Sequence, residues 1–296
     1  MSSCVAILTY RRLHALQEML AGLCEHCARY RIGIFEDCGN MDGTGMFLRR
    51  GLPEPRPDLM AVQYVFAPGI TACLGDRNLG VSGNSNRALK WFLDGTEDHL
   101  CLCNDDLHVV GDFPAFYRQA HRDLGTGFFA FNDFADSPRH RWIIARSRGY
   151  RVKIFPQMTG IMMSVTRQTV NKVGYFDTRF GKFGQEHVDW THRIRLAGEL
   201  KLDGLDQVCL DVEPARADGS AGPPVLKHQN VATSVNGPER TREDTLAETR
   251  IREAVARYRT ESYYRPFSLV WPERIGLGGQ GIKPEEMPGY REITRS

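Results

Sequence analysis

Apolar positions in the first half of the chain switch repeatedly between two spacings. Cys4 to Thr9 is a compact β-rich run, and Ile32 to Glu36 and Leu59 to Phe66 read as further strands. Between the first two, Leu13, Leu16, Leu20, Leu23 and Cys27 fall at helical intervals, which predicts a helix over Leu13 to Ala28. Ser82 to Leu93 reads as a second helix. Leu100 to Cys103 is continuously apolar, the mark of a strand covered on both faces. Strands alternating with helices predict an α/β fold with a mostly parallel sheet and helices on both faces. Further on, Phe128 to Phe131 and Thr159 to Val165 read as strands, Glu186 to Ala197 as a helix, and Glu213 to Pro224 as a loop. From Pro238 a charged helix is expected to about Arg259, with a Gly- and Pro-rich tail after Pro266. The expected layout is one large domain over residues 1–235, with a C-terminal helix and tail, 236–296, packed on it.

Composition narrows the class. With 42% hydrophobic and 10% aromatic residues among 296, and no glycine period, disordered and collagen-like chains are excluded. No apolar run approaches the roughly 20 residues that span a bilayer. Val5 to Leu8, followed by Arg11 and Arg12, is too short for a signal-peptide core, which predicts a cytoplasmic protein. The net charge of +2, from 38 basic and 36 acidic residues, gives no gross pull toward nucleic acid or membrane. Of the 8 cysteines, Cys24 and Cys27 form a CxxC, and Cys101 and Cys103 a CxC inside the apolar run. A structural zinc site needs two such pairs away from the core, so reduced core thiols are expected.

In an open parallel sheet, ligands bind outside the carboxyl ends of the strands. After the first strand come Thr9, Tyr10 and Arg11; after the second, Asp37; after the apolar run, Asn104, Asp105 and Asp106. Acidic groups at the mouth of an apolar strand need a cation or donors to offset their desolvation. Asp106, with or without Asp105, is thus a candidate divalent-metal ligand; Asn and Asp also suit a plain turn and helix cap. The stretch Asn78-Leu79-Gly80-Val81-Ser82-Gly83-Asn84-Ser85-Asn86 offers a helix start and backbone donors for phosphate.

Four segments in order resemble family-2 glycosyltransferases. Asp37-Cys38-Gly39-Asn40-Met41-Asp42-Gly43-Thr44 resembles their DNGSTDGT stretch, and Asn78 to Ala88 their NxGxxGxxNxG region, with Ala88 where glycine is usual. Asn104-x-Asp106 resembles the variant DxD metal motif. Gly174-Tyr175-Phe176-Asp177 followed by Glu186-His187-Val188-Asp189-Trp190 resembles their GxFD…EDxD segment. The resemblance covers residues 4 to 200, about two thirds of the chain. It implies a GT-A fold, a nucleotide-sugar donor, a divalent metal (Mn²⁺ or Mg²⁺) and inversion at the anomeric carbon.

Carried over position by position, the resemblance puts Asp37 against a uracil N3–H, with Thr9 and Tyr10 beside the base and Arg11 next to them. Arg77, Asn78 and Gly83 fall on the diphosphate side, and Asn104 replaces the commoner first aspartate. Asp106 falls on the metal aspartate, and His228 lies where metal-dependent relatives supply a histidine. Asp189 and Trp190 fall on the acceptor side, as a carboxylate for hydroxyls and an aromatic face for a sugar ring. Where the family pattern has Glu-Asp this chain has Glu186-His187, so either residue is a candidate base. Near a helix N-terminus the dipole disfavours imidazolium, which suits His187 to accept a proton near neutral pH.

The expected function is transfer of a sugar from a nucleotide-sugar, UDP-linked by the uracil argument, to an acceptor hydroxyl. A glycan or glycoconjugate is the default acceptor, and a hydroxylated nucleobase in DNA stays open. A nucleotidyltransferase usually carries a GxGxR-type loop after its first strand, where this chain reads Thr9-Tyr10-Arg11-Arg12. A silent sugar-binding protein would have little reason to keep Asp37, Asp106 and Glu186 together.

Overall fold

The structure is a computed structural model describing residues 2–37, 43–132, 141–145, 149–155, 160–178, 186–202, 205–206 and 209–229. Strand β1 (Ser3–Thr9) is buried along its whole length, which is why its sequence shows no polar alternation. Helix α1 (Leu13–His26) buries Ala15, Leu16, Met19, Leu20 and Leu23 as one stripe and leads into β2 (Arg31–Glu36). A short helix α2 (Thr44–Leu48) and β3 (Glu54–Arg56) follow. Next comes the hairpin of β4 (Ala61–Ala67) and β5 (Ile70–Gly75), turned at Gly69 with φ +74°. Helix α3 (Gly80–Asp94) then feeds β6 (His99–Asn104), β7 (Leu107–Val109), helix α4 (Phe113–Leu124) and β8 (Phe128–Phe131). The chain continues through β9 (Arg141–Ala145), β10 (Tyr150–Ile154), β11 (Met162–Thr166), α5 (Arg167–Val173) and α6 (Glu186–Leu196). It closes with β12 (Lys201–Leu202), β13 (Leu205–Asp206), β14 (Leu210–Pro214) and β15 (Leu226–His228).

Eight strands form the main sheet in the order β3-β4-β5-β2-β1-β6-β11-β8. The expected parallel arrangement is its centre, where β5, β2, β1 and β6 run together, and antiparallel strands extend both edges. Helix α3 packs on β1 and β2, and α4 on β1 and β6. A three-stranded sheet, β14-β10-β9, and the pair β15–β7 complete the frame of the site.

Strand β5 was not anticipated. Its sequence, Ile-Thr-Ala-Cys-Leu-Gly, is a weak strand by composition and gains its conformation from pairing on both sides with β2 and β4. All seven described cysteines are free thiols, and only Cys24 is exposed. Among the described residues no helix is long and apolar enough to cross a membrane. The charged helix expected from Pro238, the tail, and the domain boundary at 235 lie outside the described residues.

Candidate functional site

The chain leaves β1 through α1 to reach β2 on one side, whereas β6 arrives on the other side after α3. The connections therefore diverge between β1 and β6, the position where open α/β sheets leave a crevice for ligands. Register brings the expected residues to that crevice: Thr9 lies opposite Glu36, and Leu8 opposite Asn104. The Asp37 N–H donates to the Thr9 carbonyl at 3.2 Å, locking the two strand ends together. Arg11, with φ 55°, turns the chain sharply out of β1, and its guanidinium lies 5.2 Å from the Tyr10 ring centroid.

Asp37 is buried and anchors the start of α3. Its Oδ1 accepts from the Leu79 N–H at 3.0 Å and from Arg87 Nη1 at 3.0 Å, and its Oδ2 from the Gly80 N–H at 2.9 Å. An ionised carboxylate offers about four acceptor positions, and among the described residues three of them are used, which leaves one on Oδ2. Burial pushes the Asp37 carboxyl up to about 7, against the pull of Arg87 and the two amides. Arg87, also fully buried, donates to the Leu59 and Met60 carbonyls and so ties α3 to the turn before β4. A Cβ at Gly75 would come 2.4 Å from the Arg87 guanidinium, and one at Gly83 2.4 Å from the Leu79 Cβ, so both positions demand glycine. The Asn78 Oδ1 accepts from the Gly80 N–H at 2.8 Å as a helix-start turn. Arg77 lies at the surface, 3.9 Å from Asp76. Cys38 to Asp42, the centre of the DNGSTDGT-like stretch, lie outside the described residues.

At the mouth of β6, Asp105 and Asp106 are both buried, and Arg12 at the start of α1 reaches both. Its Nη2 pairs with Asp105 Oδ1, and its Nη1 donates to Asp106 Oδ2 at 2.9 Å. Burial pushes the Asp105 carboxyl up to about 7, while Arg12 pulls it down. The His228 Nε2 lies 3.6 Å from Asp106 Oδ2, brought there because β15 pairs with β7 and the Gln229 N–H donates to the Asp106 carbonyl at 2.9 Å. Asp106 Oδ1 is buried with no hydrogen-bond partner among the described residues. A carboxylate with a bare oxygen beside an imidazole suits Mn²⁺ or Mg²⁺, Mn²⁺ more so. No group of three or more His, Cys, Asp or Glu side chains among the described residues is arranged to hold a metal ion. Asp106 and His228 alone would leave most positions of such a cation to water and phosphate oxygens.

Across the crevice, α6 opens with the expected pair. The His187 Nδ1 lies 3.1 Å from Glu186 Oε1, while His187 Nε2 and Glu186 Oε2 are buried with no hydrogen-bond partner among the described residues. The imidazole rests on Gly160, where a Cβ would come 2.4 Å from its Cε1, and stands edge-on to Phe176 at 5.7 Å. Both sides of this seat are fixed. The Asn86 side-chain amide bonds the Phe176 N–H and carbonyl, and Ile161, next to Gly160, accepts from the Asn104 N–H at 2.9 Å. His187 and the acidic segment are thereby tied to one end of the sheet.

Two residues expected on the acceptor side are packed into the fold. Trp190 is fully buried, stacked on Phe176 at 4.4 Å with its Nε1 donating to the Gly174 carbonyl, so it offers no face to a sugar. Asp189 is buried and accepts from Arg193 Nε at 2.9 Å, one helical turn on. Trp190 is held by Gly174 and Phe176, and Asp189 orients Arg193, which donates to the Val173 and Tyr175 carbonyls. Arg12, Arg87, Asn86 and Gly160 were not singled out from the sequence. Arg12 did carry a signal: a cation at a helix N-terminus is opposed by the dipole and needs an acidic partner.

No protein-family model matches the chain, and no curated protein matches it in sequence. Solved structures do match in shape. GalNAc-T7 with UDP, GalNAc and Mn²⁺ is similar at a TM-score of 0.52 and 14% identity, over 86% of this chain and 48% of that one. The mannosyltransferase PcManGT from Pyrobaculum calidifontis, in complex with GDP-Man and Mn²⁺, matches at 0.49 and 15% identity, over 97% of this chain and 72% of that one. TarS 1-349 of S. aureus matches at 0.48 and 10%, over 84% of this chain and 64% of that one. This chain thus spans about half the length of GalNAc-T7, and the fold it shares with that enzyme is GT-A-like.

Proposed function

We propose that this protein is a metal-dependent, inverting glycosyltransferase that takes a sugar from a UDP-sugar to an acceptor hydroxyl, with a glycan or glycoconjugate as acceptor. One observation carries the reading: the base-side carboxylate Asp37, the acidic pair Asp105–Asp106 and the Glu186–His187 pair meet at one end of a GT-A-like sheet. In this reading the open acceptor position on Asp37 takes the uracil imide proton, with Thr9 and Tyr10 flanking the base. Asn104 faces the ribose, and Asn78, Gly83 and Arg77 border the diphosphate. Asp106 and His228 would hold the divalent cation, next to Asp105. The cation, when bound, neutralises charge developing on the departing diphosphate.

His187 is the base. With Glu186 Oε1 3.1 Å from Nδ1, the tautomer that carries its proton on Nδ1 is the favoured one, and it leaves the Nε2 lone pair for the acceptor hydroxyl proton. The hydroxyl oxygen then attacks the anomeric carbon from the face opposite the nucleotide, and the carbon–oxygen bond to the diphosphate breaks. The test is a panel of nucleotide-sugars with Mn²⁺, scored by hydrolysis and thermal shift. A UDP-sugar that raises the melting temperature and is hydrolysed, with both effects lost in an Asp37→Asn variant that keeps the wild-type circular dichroism spectrum, supports the reading. No response to any nucleotide-sugar overturns it.

A further inference from the structure

Arg12 occupies the place where a cation belongs. Its guanidinium spans the two carboxylates at the end of β6, pairing with Asp105 and donating to Asp106 Oδ2 at 2.9 Å. The same Asp106 oxygen lies 3.6 Å from His228 Nε2, so Arg12 and the candidate metal ligands share one atom. The carboxylates are sealed in, while the arginine side chain is 32% exposed and reaches in from the rim. The left-handed turn at Arg11 is what brings Arg12 from the central strand to this position at the head of α1.

Charge makes the consequence definite. With both carboxyls ionised, as a bound divalent cation requires, the pair carries −2, which Arg12 halves. A divalent cation added beside Arg12 turns the cluster to +1 in a buried setting, where unbalanced charge is costly. The cation must therefore displace Arg12 or arrive with an anion that neutralises the surplus. We infer that Arg12 is a built-in counter-cation that competes with the metal for the Asp105–Asp106 pair until a nucleoside diphosphate takes up its charge. Metal and nucleotide then bind with positive coupling through Arg12, beyond what direct phosphate–metal contact contributes. The inference rests on the reading of Asp106 and His228 as the metal-binding pair.

The experiment needs no turnover. Mn²⁺ is titrated into nucleotide-free wild-type, Arg12→Lys, Arg12→Gln and Arg12→Met protein, with free Mn²⁺ followed by electron paramagnetic resonance, and the series is repeated with saturating UDP. Without UDP, Arg12→Met should bind Mn²⁺ about tenfold more tightly than wild type, within the usual range of coupling between sites. Arg12→Gln should behave similarly and Arg12→Lys fall between, so the order survives if one variant fails to fold. Added UDP should tighten Mn²⁺ binding more in wild type than in Arg12→Met. Equal or weaker Mn²⁺ binding by the neutral variants overturns the counter-cation role and leaves the metal site standing. Absence of Mn²⁺ binding in every protein, with UDP or without, overturns the metal site and this inference together.

Discussion

Asp37 and Arg87 form a buried ion pair whose halves cannot be lost separately. Removing the arginine leaves a carboxylate sealed against water with two amide donors only. Arg87→Met is therefore expected to cost about 3–5 kcal/mol, the usual penalty for breaking one side of a buried pair, read from urea denaturation. Gly160 makes the complementary case, a position where adding atoms does the damage. Gly160→Ala would drive a methyl into the His187 ring, 2.4 Å from its Cε1, and the imidazole must swing off its seat. With His187 as base, kcat should fall by a large part of the roughly 10²–10⁴ that general-base catalysis contributes, while UDP affinity by calorimetry stays put. Unchanged kcat in Gly160→Ala would remove His187 from the proton path. Residues at strand ends were legible in advance because their chemistry is their own: Asp37, Asn104, Asp105 and Asp106 are conspicuous wherever an apolar run stops. Arg87, Asn86 and Gly160 were not, because their roles exist only against partners 50, 90 and about 30 residues away.

The strand β6 carries a polar thread through its core at the element scale. Ser3 Oγ meets His99 Nδ1 at 3.0 Å, His99 Nε2 meets Ser164 Oγ at 2.7 Å, and Ser164 Oγ meets His121 Nε2 at 2.9 Å. The line ends where His121 Nδ1 donates to the Thr126 carbonyl at 2.7 Å, joining β1, β6, β11 and α4. Burial holds both histidines neutral, His99 well below its ordinary 6.5 and His121 down to about 4. Folded-state values below the unfolded value mean that stability is full above pH 6.5 and drains as the pH falls. Each histidine should remove up to about 1.4 kcal/mol per pH unit below that point. Asp37 and Asp105, raised to about 7, change in the opposite sense over this range, so the fall is read as the difference in urea stability between wild type and His121→Gln at pH 7, 6 and 5. A difference that does not change with pH would mean that the thread admits protons. Strands β1, β2 and β6 and helices α1 and α3 were legible because each carries its own apolar period. Strand β5 borrowed its shape from two neighbours. Helix α4 went unassigned, although Asp112 caps it and Gly125 ends it at φ 65°.

For the molecule as a whole, ligand binding should appear as stability. A nucleotide that binds only the folded chain adds about 2.7 kcal/mol at 100 times its dissociation constant. UDP with Mn²⁺ should therefore raise the melting temperature by several degrees, and UDP with excess chelator by clearly less. Equal shifts in both would separate nucleotide binding from the acidic pair. The GT-A-like architecture was legible from four short segments in order, since strand ends in this fold are where chemistry and topology coincide. The closure of the site by β15 was not, since nothing local in Leu226–His228 announces a partner in β7. That closure has a meaning in time. Leu107 waits for Gln229, 122 residues downstream, so at 5–20 residues per second the ribosome needs roughly 6–24 s to deliver the covering strand. Throughout that interval β7 is a bare edge and the carboxylates of the nascent chain lack their histidine. Synthesis itself thus passes through a period in which the newborn protein is exposed to mispairing at the spot where the candidate metal-binding pair later comes together.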